Sequence, residues 1–155
     1  MSAETIEDTL PPIGPELIRV AIRDLEAAER DPAYKIDMAY WHDLLFDDRC
    51  HVCLAGAVLA KSLHLDPGAQ FHPRRYDHRR DSKTVSDKML WLDDARRGMP
   101  VLGISFPVAS YLIDPRLFKK QLLWIADHWP EDDSEKSLEW KPLVERFREE
   151  FGFGL

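Results

Sequence analysis

Cys50-His51-Val52-Cys53 brings together two thiols and an imidazole within four residues, and these are the two cysteines of the 155-residue chain. By spacing the segment is half of a zinc site, but a closed tetrahedral site needs four ligands. His42, His51 and His64 are candidates to complete it, and none stands at a recognised ligand spacing. In the first turn of a helix a cysteine meets amide donors and the positive dipole end, which favours thiolate. A cysteine nucleophile would further need His42 or His51 as base and a third group to orient it, and no matched Asn or Asp marks such a group. The expectation is therefore structural: Cys50 caps or precedes a helix, Cys53 is buried as a small apolar residue, and no catalytic residue, metal or cofactor is assigned.

Two other clusters carry recognition chemistry. Trp41-His42 precedes an acidic loop containing Asp43, Asp47 and Asp48. These five are candidate binding residues, because exposed aromatics beside charge are common at binding hot spots; the alternative is a tryptophan that lids the core and a histidine bonded to a nearby oxygen. Phe71-His-Pro-Arg-Arg-Tyr-Asp-His-Arg-Arg80 is the basic counterpart. Arg74, Arg75 and Arg79 offer planar forks to phosphate or carboxylate, and Tyr76 can stack on a base or ring. That pattern suits an anionic small molecule or nucleotide, or else a solvated loop whose arginines pair with the acidic body. No Gly-rich phosphate loop, paired-carboxylate motif or His-Glu-x-x-His accompanies it.

The elements that must position these residues read as mainly helical. Residues 1–14 form a flexible arm ending in Pro11-Pro12-Ile13-Gly14, and 15–155 read as one compact domain of about five helices with at most a small β element. Pro15 at N1 starts a helix to about Arg30, with Leu17, Ile18, Ala21, Ile22, Leu25 and Ala28 at helical spacing. Tyr34–Tyr40 alternates like a short strand. A second helix is expected from about Cys50 to Leu63, where Gly56 costs roughly 1 kcal/mol relative to alanine and implies close packing. Thr84 and Asp87 form a capping-box pair for a third helix, striped by Val85, Met89, Leu92 and Ala95 and ended by Gly98. Asp114-Pro115 opens a fourth, to about Trp129, buried through Leu117, Phe118, Leu122, Ile125 and Trp129. A fifth reaches about Glu150, with Leu143, Phe147 and Phe151 inward.

Hydrophobic residues make up 45% and charged residues 32%, an ordinary globular balance. The formal charge of −7 concentrates at the front, where residues 1–60 hold five basic and twelve acidic side chains, while residues 61–80 hold five basic and two acidic. An acidic body argues against general DNA binding, which needs a basic face. No apolar run approaches the ~20 residues of a membrane span, the acidic start is unlike a secretory signal, and two cysteines fit a reducing cytoplasm.

A thioredoxin-like enzyme would also place Cys-x-x-Cys after a strand, with a proline loop such as Arg97–Val101 further on. The resemblance is confined to those two patches, and residues 64–82 are poorly suited to the next strand. Tyr34-Lys-Ile-Asp-Met-x-x-Trp41-His42, then Cys50-x-Val52-Cys53-Leu-Ala-Gly-Ala-Val58, resembles a group of small uncharacterised bacteriophage and prophage proteins over residues 34–61. That resemblance implies an accessory protein acting in the host bacterial cytoplasm, and it transfers no catalytic residue. Such proteins commonly bind and inhibit a host machine, including antiviral defence systems. The leading expectation is thus a phage-type protein that binds and inhibits or modulates a bacterial host protein complex. The alternatives are a small-molecule or nucleotide binder using the 71–80 loop and a thiol or zinc enzyme built on Cys50 and Cys53.

Overall fold

The structure, a computed structural model, describes residues 6–73, 84–99, 102–107 and 109–152. Among them the fold is mainly helical, with six helices and five strands of two or three residues. Backbone contacts divide the chain into two compact units, Met1–Asp93 and Asp94–Leu155.

In the first unit, helix α1 (Pro15–Glu29) starts where Pro15 occupies N1 behind Gly14, and all six expected stripe residues are buried. Strands β1 (Tyr34–Ile36), β2 (His42–Leu44) and β3 (Cys50–Val52) form a sheet in the order β1-β3-β2. β1 runs parallel and β2 antiparallel to β3. The expected helix from Cys50 therefore begins later, as α2 (Leu54–Lys61). Cys50–Val52 is held as strand because it is the central strand, with a partner on each side, and an apolar run this short does not by itself distinguish strand from helix.

The registers sort the sheet into two faces. Tyr34–Cys50–Leu44 and Ile36–Val52–His42 are cross-strand rows on one face, and Lys35–His51–Asp43 is the row on the other. The first face meets the helices: the Lys61 ammonium lies 4.9 Å from the Tyr34 ring centroid. α2 is buried on every side from Leu54 to Ala60, as its all-round apolar sequence requires. Gly56 marks the tightest approach, since a Cβ there would stand 1.6 Å from the Trp41 carbonyl oxygen.

Helix α3 (Val85–Arg97) carries the expected stripe, and the Thr84 hydroxyl accepts from the Asp87 amide at 3.2 Å. Its Lys88 is buried and clamps the N-terminal segment, donating to both Asp8 carboxylate oxygens (3.0 and 2.9 Å) and to the Leu10 carbonyl (3.0 Å).

In the second unit, β4 (Gly98–Met99) pairs antiparallel with β5 (Ile104–Ser105). A one-turn helix α4 (Ser110–Ile113), absent from the sequence reading, precedes α5 (Pro115–Asp127) and α6 (Trp140–Phe151). The Asp114 carboxylate caps α5 by accepting from the Leu117 amide at 3.1 Å. Phe118, Leu122 and Ile125 are buried as expected, whereas Leu117, in the first turn, is exposed, and Trp129 lies past the helix end. Leu143 and Phe147 of α6 are buried, and the Phe147 ring meets that of Trp124 at 5.6 Å.

Candidate functional site

The β2–β3 hairpin gathers the acidic and aromatic candidates. Its turn is closed by Leu45 N–H to the Arg49 carbonyl (3.1 Å) and Asp48 N–H to the Leu45 carbonyl (3.0 Å). Asp48 takes φ 59°, a left-handed conformation that aspartate tolerates better than most residues. Two side chains tie the turn to the sheet. Arg49 donates to the Tyr34 carbonyl. Asp47 receives the Arg49 amide at 3.1 Å and stands 2.9 Å from His51 Nε2.

His51 is also 3.2 Å from Asp37 through Nδ1, so each ring nitrogen faces a carboxylate. The hydrogen bond from His51 holds the Asp47 carboxyl below the usual carboxylate range. The Tyr40 ring packs edge-on against His51 at 5.8 Å. Asp47 is thus a fastening residue as much as a surface charge. Asp43 and Asp48 have no hydrogen bond or ion pair from their side chains to another described residue.

The result is an ordered turn with an aromatic side chain at its tip. Phe46 is fully exposed, at 100% of its accessible surface, and Leu44 is exposed at 52%. Sequence reading passed over Phe46, because hydrophobicity alone does not tell an inward phenylalanine from an outward one. The available signal was its place between two aspartates and two leucines in a five-residue turn.

Trp41 and His42 divide between surface and core. Trp41 is half-buried and its ring lies nearly parallel to that of buried Phe71, at 6.2 Å and 15°. His42 is buried on the helix-covered face, where Nδ1 donates to the Ala69 carbonyl at 2.8 Å. Burial pushes its imidazole below the ordinary histidine range, the Ala69 bond opposing this more weakly. It is a core histidine bonded to a carbonyl oxygen, the alternative that the sequence offers to a surface contact. Trp41, His42, Asp43, Phe71 and His72 are among the residues lining a cleft of about 280 Å³ next to β2. Arg74, Arg75, Tyr76 and Arg79 lie outside the described residues.

The thiols are enclosed. Cys50 and Cys53 are 0% and 1% exposed, and burial pushes the Cys50 thiol up, away from the thiolate that nucleophilic or redox chemistry needs. Cys53, not Cys50, caps α2, its sulfur accepting from the Gly56 amide at 3.5 Å. Among the described residues no group of three or more His, Cys, Asp or Glu side chains is placed to hold a metal ion, and no helix is long and apolar enough to cross a membrane. No protein-family model, curated protein or solved structure matches the chain.

Proposed function

We propose that the chain is a non-enzymatic binding protein that docks on a basic face of a partner protein through its β2–β3 hairpin. The observation that carries this is the complete exposure of Phe46 on a turn fastened by its own hydrogen bonds and by Asp47 and Arg49. An ordered turn has little conformational freedom left to lose on binding. Asp43 and Asp48 on the same hairpin favour a partner whose apolar pocket is rimmed by lysine or arginine. The resemblance over residues 34–61 supplies the setting: a phage-type accessory protein that inhibits or modulates a bacterial host complex. Enclosure of Cys50 and Cys53 counts against the thiol alternative.

The test is capture of partners from a bacterial lysate by the wild-type chain and by Phe46→Ala, with affinity then measured on the identified partner. Burying a phenylalanine side chain contributes about 1.5–3 kcal/mol, so the variant should bind roughly tenfold to a hundredfold more weakly. Asp43→Asn with Asp48→Asn should slow association, and the difference should shrink as salt is raised. A partner bound equally well by Phe46→Ala refutes the reading.

A further inference from the structure

We infer that the cleft beside β2 receives one arginine side chain of the partner. This rests on the docking reading above and names a chemical group that reading leaves open. The cleft, about 280 Å³ in volume, stands at the small end of ligand sites and has room for one side-chain head group.

Its walls specify charge and shape. Buried Phe71 lies nearly parallel to the half-buried Trp41 ring, at 6.2 Å and 15°. Asp43 stands two positions along the chain, half-buried, with no ion-pair partner among the described residues. The described lining contains no lysine or arginine, and its basic side chains are His42 and His72. An aromatic ring and a carboxylate lining one cleft are complementary to a cation. A guanidinium satisfies both walls, because it stacks flat on the ring and offers a carboxylate two parallel N–H donors, whereas an ammonium does neither. Asp43 and Phe46 belong to one hairpin, so one partner surface can supply a pocket for Phe46 and the arginine together.

The experiment titrates N-acetylarginine amide into isotope-labelled full-length chain, following the Trp41 indole N–H and the Asp43 and Phe71 amides by NMR. Saturable shifts at these positions are expected, with N-acetylcitrulline amide, its uncharged analogue, binding at least tenfold more weakly. Trp41→Leu and Asp43→Asn should each weaken binding about tenfold, with thermal melts run to confirm folding. Absence of saturable shifts, equal binding of the citrulline compound, or preferential binding of AMP each overturns the inference. So does tighter binding by Arg74→Ala with Arg75→Ala, which would make the chain's own arginine the occupant. Failure here leaves the docking reading standing if Phe46→Ala still weakens binding to the captured partner; failure of the Phe46 test with arginine binding intact sinks that reading alone.

Discussion

Replacing Gly56 by alanine sets two effects of opposite sign against each other, and the geometry decides between them. Alanine favours helix over glycine by about 1 kcal/mol in a helix interior. Against this, the new Cβ would lie 1.6 Å from the Trp41 carbonyl oxygen, 2.8 Å from the Trp41 carbonyl carbon and 3.0 Å from the Val52 Cβ. Two of those three atoms are backbone, so no side-chain rotation relieves the clash. Either α2 lifts off the sheet or the chain at Trp41 moves, and the second option displaces the start of β2. Overpacking costs about 1–3 kcal/mol and sometimes more, and a clash with backbone belongs at or above the upper end. The net loss is about 2 kcal/mol or more, which for a chain of this length lowers Tm by roughly 4–8 °C. Calorimetry on Gly56→Ala measures it. The NMR signals of Trp41 should move with the loss of stability, because the strain is delivered there. A Tm equal to or above that of the parent protein would refute the close-packing argument.

Phe46→Ala should leave Tm within about 1 °C of the parent, since a fully exposed ring gives up no packing; a drop of several degrees in a thermal melt would mean that the ring is covered in solution. His42 has a folded pKa depressed from 6.5, so the unfolded chain binds the proton more readily, and stability is lost as pH falls from about 6.5 toward the folded value. Urea titrations between pH 7.5 and 5 should show that slope in the parent and a flatter one in His42→Gln; equal slopes would remove His42 as its source. His51→Gln keeps hydrogen-bonding capacity but cannot bridge Asp37 and Asp47 through two ring nitrogens, and should raise amide exchange across residues 45–49. Exchange in the turn as slow as in the parent would show that the Asp37–His51–Asp47 bracket does not fasten it.

What was legible in the sequence was what is decided locally. The stripe of α1, the Thr84–Asp87 cap and the Asp114-Pro115 start of α5 each depend on residues within a few positions of one another, and each is present. The sheet is not local. β3 is set by its pairing with β1 and β2, and Cys50–Val52 was read as helix because nothing in the segment itself announces those partners. The site divides the same way. Trp41 and Asp43, both candidates from the sequence, share a cleft that His42 also lines, but His42 is buried because its row in the sheet faces the helices. Asp37 reaches His51 across a parallel pairing, so its part in fastening the turn has no signature along the chain. Leu117 shows the complementary error: helical spacing places a residue on a face without fixing its burial, and Leu117 is exposed although Phe118 beside it is buried.

The Lys88 clamp has a bearing on the lifetime of the native state. It joins Asp8 to a residue 80 positions away, and a contact of such span requires closing a long loop before it returns any stability. Such contacts form late, after the helices and the sheet have supplied the surface on which the segment lies. Interactions absent from the folding transition state leave the folding rate alone and appear almost entirely in the unfolding rate. Trimming the chain to begin after Leu10 would leave the buried Lys88 ammonium without its carboxylate. The trimmed protein would fold as fast as the parent and come apart sooner.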